Sequence, residues 1–259
     1  MCKRATYKSA VMEKMLTADE EKKAITAAEY VARRNAYAYP AVGLGGCLIN
    51  LAHRTFLSIR SMENHHRFLL RSQDDESAVL GYLSVIYWGH YSGQDGIPRG
   101  ARALGKVRLA EDGKDRHKNG KVERIRGVAD IGIAVVAERI REATALVDLG
   151  KYANAMKVLF ELPQLKFAFA SKVCAFLLPE QCGVVDSIIA DAHRQFGFEV
   201  DANGYVRNNS ANASRYMTYC SFLSGQAEVL NSSGAAFMWR DLDGVLRTWR
   251  AVDIERAMY

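Results

Sequence analysis

Cysteine is sparse and unpaired in this sequence. The five residues Cys2, Cys47, Cys174, Cys182 and Cys220 are odd in number and widely scattered, which gives no disulfide framework; with no C-x-x-C pair the usual zinc spacing is missing, so neither a metal nor another cofactor is expected. The sequence also lacks any run of eighteen or so apolar residues and any signal-peptide pattern in its basic, polar first residues, so membrane insertion and secretion are not expected and a cytoplasmic location is the default. No internal repeat or low-complexity linker marks a domain boundary. Proline is scarce, four in 259 residues, and Pro40, Pro163 and Pro179 each fall where a helical pattern stops.

What is present fits a globular protein with a negatively charged partner. Hydrophobic residues make up 49% of the chain, enough for a sizeable core in one large domain or two lobes. The formal net charge of +6 is unevenly spread. Residues 99–126, RGARALGKVRLAEDGKDRHKNGKVERIR, hold ten Lys or Arg against four acids, a surplus of six that equals the excess of the whole chain. Gly100, Gly105, Gly113 and Gly120 are interspersed, so the segment reads as a long loop or a ribbon with turns. It can follow a phosphate backbone, each contact releasing counterions, or be a solvated insertion. On the first reading Arg99, Arg102, Lys106 and Arg108 are DNA-binding residues.

The densest signal lies at residues 162–189, LPQLKFAFASKVCAFLLPEQCGVVDSII. A helix ends near Glu161 because Pro163 cannot continue it, and a tight turn follows. Ala168 to Leu178 has a broad apolar face and stops at Pro179. The result is two helices joined by a short hairpin, and free amides at the start of the second helix favour an anion such as phosphate. Val184 and Val185 then read as extended and buried, and Asp186 stands before the apolar run 187–196 as an N-cap. A carboxylate there can stabilise positive charge on a sugar or orient a water, or it can merely cap the helix.

The register LPQLKFAFAS followed by VVDS resembles the hairpin and catalytic-aspartate motif of the helix-hairpin-helix DNA glycosylases, whose usual pattern is LPGVGxKTAx with a later VD. Within that superfamily it is most similar to the bacterial 8-oxoguanine-glycosylase-like branch. The resemblance implies a mainly α, two-lobed helical glycosylase fold with a helix-hairpin-helix motif, acting on double-stranded DNA that contains a modified base. It implies that Asp186 is catalytic and that Gln164, Lys166, Ser171 and Lys172 contact DNA. Two departures stand out. Gln164 and Lys166 replace the hairpin glycines, which demands a looser turn or a costly backbone conformation, and Ala168 replaces the Schiff-base lysine. A monofunctional enzyme that hydrolyses the N-glycosidic bond and leaves an abasic site follows. Lys172, one helical turn beyond Ala168, is either a displaced amine nucleophile or a lysine whose stem packs on the helix while its ammonium meets phosphate or solvent.

Upstream, in YLSVIYWGHYSGQDG at residues 82–96, Tyr87, Trp88 and Tyr91 are candidates to hold or replace an extruded base, the alternative being an aromatic helix end in the core. His90 has no assignable partner, and His65 and His66 read as surface residues. Helices are expected over residues 18–35, 44–57, 77–88, 131–149 and 216–230, with a short turn at 200–206 and a tail turning at Asp243 and Gly244. These elements divide into an N-terminal helical region (1–98), the basic segment (99–126) and a catalytic region with its tail (127–259). For substrate, family members excise oxidised, alkylated, deaminated or mismatched bases, and a phage-defence member removes glucosylated hydroxymethylcytosine. A hypermodified cytosine, 8-oxoguanine or another damaged base all stay open. So do two non-enzymatic readings, a DNA-binding protein that keeps the hairpin without catalysis and a helical interaction protein.

Overall fold

The computed structural model describes residues 25–92, 97–118 and 120–259. Cys2, the start of the helix expected from residue 18 and the glycine turns at 93–96 lie outside them. Among the described residues the chain is mainly helical, with eleven α-helices and three two-stranded antiparallel hairpins. In chain order these are α1 (Ala27–Ala36), β1 (Val42–Cys47), β2 (Asn50–Thr55), α2 (Ile59–Leu70), α3 (Asp75–Tyr91), α4 (Gly100–Asp112), β3 (Lys114–Lys118) and β4 (Lys121–Ile125). There follow α5 (Val128–Ile131), α6 (Ile133–Asp148), α7 (Tyr152–Leu159), α8 (Phe167–Leu177), α9 (Ser187–Ala192), α10 (Ser210–Ser232), β5 (Trp239–Arg240), β6 (Leu246–Arg247) and α11 (Ala251–Met258). No described helix is long and apolar enough to cross a membrane.

Helix α3 is the axis of the core. Every residue from Ala78 to Trp88 is buried, because its sequence has no polar face to present to water. It packs against α2, α4, α6 and α8. Leu83, Val85 and Ile86 are fully buried, each stabilising the fold by roughly 1.5–3 kcal/mol relative to exposure. The expected helices at 131–149 and 216–230 are present as α6 and α10, and Val200 pairs with Val206 across the expected short turn.

Three expectations are corrected. Residues 44–57 do not form a helix: β1 and β2 pair from Val42 with Thr55 to Cys47 with Asn50. Gly43, Gly45 and Gly46 each cost a helix about 1 kcal/mol relative to alanine, whereas the extended form lets Leu44 reach the core while β2 stays exposed. The basic segment is half helix. In α4, Ala103, Val107 and Ala110 are buried at spacings of four and three that make one face, and the charge run concealed it; β3 and β4 are the ribbon that was expected. His66 is fully buried rather than on the surface. It stacks on Phe176 at 4.2 Å, its Nδ1 bonds the Met62 carbonyl and its Nε2 bonds the Ser84 hydroxyl. His65 is half-buried against the Leu44 carbonyl.

The first and last elements interlock through buried charge. Glu63 of α2 pairs with Arg250 and Arg256, each at 2.5 Å, and Asp253 of α11 pairs with Arg250 at 2.9 Å and Arg34 of α1 at 3.3 Å. Burial alone would raise the Asp253 carboxyl, but Arg250 and Arg34 outweigh it and hold the group far below the usual range. Asp241, between β5 and β6, accepts the Ile59 and Arg60 amides at the start of α2, satisfying donors that every helix N-terminus leaves open. Helix α11 is thereby fixed against α1 and α2.

Candidate functional site

The loop from Pro179 to Asp186 is bound on three sides. The Ser171 hydroxyl accepts the Val185 amide at 3.0 Å, Tyr216 donates to the Gly183 carbonyl at 2.9 Å, and Tyr219 donates to the Val184 carbonyl at 3.3 Å. From α11, the amides of Val252 and Ala251 donate to the carbonyls of Pro179 and Glu180. Val184 and Val185 are buried in consequence, as their sequence implies. Asp186 caps α9: its Oδ1 accepts the Ile188 and Ile189 amides at 3.0 and 3.1 Å, and the Tyr259 hydroxyl lies 3.4 Å from Oδ2. One carboxylate oxygen is thus committed to the helix and the other is turned toward a cavity.

That cavity, of about 840 Å³, is lined by Asp186, Lys172 and Glu255, by the aromatic residues Tyr37, Tyr39, Trp88 and Tyr259, and by Arg33, Arg102 and Arg256. The rings brace one another. Tyr39 lies 4.9 Å from Trp88 and stacks on Tyr37 at 6.4 Å, and Tyr37 meets Tyr259 edge-on at 6.3 Å. Trp88 donates its indole N–H to the Pro40 carbonyl, and Tyr39 donates to the Trp88 carbonyl. Lys172 is 9% exposed. Burial lowers the pKa of its amine, while Asp186 and Glu255 act in the opposite direction. Burial pushes the Glu255 carboxyl up to about 8; Arg256 opposes this and Asp186 adds to it. Among the described residues neither Lys172 nor Glu255 has an ion-pair partner. Lys172 is nearly buried and lines the cavity instead of standing on the outer surface.

The turn between α7 and α8 runs from Leu162 to Lys166. Gln164 has φ of 60°, the left-handed conformation that a glycine would adopt freely and that costs another residue about 1–2 kcal/mol. The turn is held by the Leu165 amide on the Leu162 carbonyl and by the Tyr82 hydroxyl on the Pro163 carbonyl. Lys166 is exposed beside it. The Phe167 amide, the first of α8, is occupied by the Asn208 side chain at 2.8 Å, so the anion-binding capacity expected of this helix start is reduced. Phe169 of α8 touches two cavity neighbours: His90 of α3 tilts against it at 4.6 Å and the Lys172 ammonium lies 5.1 Å from its centroid. Burial pushes His90 down to about 4, and Lys106, Lys172 and Arg102 push it the same way. A band of positive charge therefore runs from the cavity along α4.

Of the residues singled out from sequence, Asp186, Lys172, Trp88 and Arg102 meet at this cavity. Lys106 lies in the adjoining band, Arg108 is exposed further along α4, and Arg99 is partly exposed at its N-cap. Tyr87 and Tyr91 do not line the cavity. Tyr87 is 1% exposed with its hydroxyl on His53, and Tyr91 stacks on the same histidine at 5.4 Å, both packing under the hairpin of β1 and β2. Ser171 is fully buried, and its hydroxyl is used by Val185 and Ala168 instead of facing a ligand. Sequence reasoning missed Tyr37, Tyr39, Glu255 and Tyr259. The one available sign was the motif AVDIERAM, in which three ionisable residues share a short, strongly apolar helix. Among the described residues no cluster of three or more His, Cys, Asp or Glu side chains is arranged to hold a metal ion. Comparisons with protein-family models, with curated proteins and with solved structures return no match for this chain.

Proposed function

We propose that this chain is a monofunctional DNA glycosylase of the helix-hairpin-helix type, a two-lobed helical enzyme that works inside the cell on double-stranded DNA containing a modified base. The observation that supports this most is the placement of Asp186, which caps α9 through Oδ1 and meets the Tyr259 hydroxyl through Oδ2, in an aromatic cavity that Lys172 of α8 and Arg102 of α4 also line. In this reading the α4 cations and Lys166 follow the phosphate backbone, and the modified nucleotide is extruded into the cavity, where Tyr39 and Trp88 offer flat surfaces to it. Asp186 stabilises the oxocarbenium-like sugar as the N-glycosidic bond breaks and helps a water attack C1′. The product is an abasic site.

The cavity volume of about 840 Å³ lies toward the upper end of ordinary ligand pockets. Its size and its mixture of aromatic and charged walls favour a base with a bulky polar substituent, such as glucosylated hydroxymethylcytosine, over 8-oxoguanine, which needs a closely fitting pocket. The reading is tested by incubating the protein with duplexes containing oxidised, alkylated, deaminated or glucosylated bases and probing for abasic sites. Excision from one duplex, abolished by Asp186→Asn with DNA binding retained, is expected. Salt-sensitive binding without excision from any duplex would leave a non-catalytic DNA-binding protein, the reading that the strained Gln164 and the occupied Phe167 amide favour. Borohydride is expected to trap no covalent adduct; an adduct lost in Lys172→Ala would make that amine the nucleophile.

A further inference from the structure

Helix α11 divides its charged residues between two environments. Asp253 and Arg256, three residues apart, join Arg250, Glu63 and Arg34 in the buried ion network. Glu255 takes no part in that network and lines the cavity, which Arg256 also borders. It is 3% exposed, and among the described residues no cation pairs with it. Its stem is packed against the loop that carries Asp186: a methyl group on Gly183 would stand 3.0 Å from Glu255 Cβ and 3.4 Å from its Cγ. Two carboxyl groups and one amine therefore share the cavity, held by the same loop and by two helices.

The groups that act on Glu255 come from each surrounding element. Asp186 on the loop, Lys172 on α8 and Arg256 on its own helix influence its charge, and the Val184 amide bonds it. The phenols of buried Tyr219 on α10, half-buried Tyr37 beyond α1 and exposed Tyr259 at the end of α11 also feel its charge. Burial and Asp186 push the Glu255 carboxyl up to about 8, which favours its protonated form near pH 7. A buried, unpaired acid beside the carboxylate that caps α9 matches the division of labour in which two carboxyl groups in unlike environments serve as donor and stabiliser.

We propose that Glu255 is the proton donor to the departing base, an inference that rests on the glycosylase reading of this cavity. As the C1′–N bond breaks, its electron pair leaves with the base and the Glu255 proton goes to a ring nitrogen or carbonyl oxygen of that base. Water adds to C1′ and passes a proton to Asp186, from which it returns to solvent, and the Glu255 carboxylate recovers a proton from solvent. The sum is one water consumed, one neutral base released and one abasic sugar formed. The substrate class this selects is a base with an accessible lone pair that leaves poorly as an anion. Lys172, which shares the cavity with both carboxyl groups, is the amine that would contact an oxygen of the base or sugar.

The test uses the full chain and duplexes bearing either glucosylated 5-hydroxymethylcytosine or 8-oxoguanine, whichever yields abasic sites, followed in single-turnover assays from pH 6 to 9. For the wild type the rate is expected to fall above about pH 8. Glu255→Gln, which keeps the shape and the neutral charge, is expected to be about 10²–10⁴-fold slower, the span that general acid catalysis supplies, to bind DNA as the wild type does, and to lose the fall at high pH. Carboxyl-carbon NMR of glutamate-labelled wild-type protein, assigned with the same variant, is expected to find Glu255 protonated at pH 7. Three results overturn the role: a rate within about threefold of wild type in the variant, a high-pH fall that the variant retains, or an ionised Glu255 at pH 7. Loss of excision in Asp186→Asn with full excision in Glu255→Gln removes the donor role alone. No excision by the wild type from either of these duplexes or from the alkylated and deaminated ones removes the reading on which it rests.

Discussion

Substituting Gly183 with alanine adds a single methyl group at the point where three structural elements meet. Its carbon would lie 2.4 Å from Leu223 Cδ1 and 3.0 Å from Glu255 Cβ, whereas carbon atoms prefer separations of about 3.5–4.0 Å. Gly183 does not have a positive φ, so alanine meets no backbone strain and the effect is purely steric. Leu223 is fully buried, which leaves it no empty direction in which to turn, and the Glu255 Cβ is fixed by the backbone of α11. Overpacking of this kind costs about 1–3 kcal/mol. Relief comes by moving the loop, and Asp186 lies three residues along it. A misplacement of about 1 Å at a catalytic group can cost about 10²-fold in rate. The expected outcome for Gly183→Ala is a lowered urea midpoint with unchanged slope, near-normal DNA binding and excision reduced about 10²-fold. Leu223→Ala alone costs about 2–5 kcal/mol as a cavity, but added to Gly183→Ala it makes room for the methyl, so the pair should be more stable than the sum of the two by about 1 kcal/mol. Strict additivity, or a neutral Gly183→Ala, would refute the packing argument.

Three further outcomes follow from groups already described. Asp253→Asn leaves four buried or half-buried arginines facing Glu63 alone and is expected to cost about 3–5 kcal/mol; because the folded carboxyl is held below its ordinary 3.8, the stability it gives is full above that value and is lost as pH falls through the folded pKa, which acid titration of urea midpoints in wild type and variant will measure. Burial pushes His66 down to about 4 from an ordinary 6.5, so the stability of its neutral form is complete above pH 6.5 and declines by roughly 3 kcal/mol toward pH 4. His66→Gln should be less stable at pH 7 and should shrink that acid limb, and an unchanged limb by denaturant titration would show that another group causes it. Replacing Arg102 and Lys106 together with alanine should reduce the slope of log binding constant against log salt by about 1.8 if both contact phosphate, and an unchanged slope by fluorescence anisotropy would place the DNA track elsewhere.

The parts of the fold that were legible in sequence are those whose signals are local. Pro163 and Pro179 bound α8, the 3.6-residue rhythm gave α6, and the capping role of Asp186 could be read because an N-cap needs only a carboxylate before an apolar run. Residues 44–57 misled because their apolar residues fit a helix while their glycines favour a hairpin, and only the burial of Leu44 beside His66 decides between them. In α4 the buried residues are small, so the basic residues among them, Arg102, Lys106 and Arg108, masked the face they form. The cavity was half legible. Asp186 and Trp88 carry motif or composition signals, but Tyr37, Tyr39, Glu255 and Tyr259 acquire their meaning only when α1 and α11 meet, a contact between distant segments that no local pattern encodes.

That meeting also has a temporal side. The pairing of Arg34 with Asp253 spans 219 residues, and that of Glu63 with Arg256 spans 193. Contacts so distant in the chain form late, after large loops have closed. During synthesis the central helices around α3 can condense while the cavity still lacks the wall that carries Glu255, and the apolar side of α1 waits uncovered for α11. Closure of the cavity is then the last event of folding, so a chain stalled before residue 251 would lack the wall that carries Glu255 and Tyr259 and leave Asp186 and Lys172 facing an open cleft.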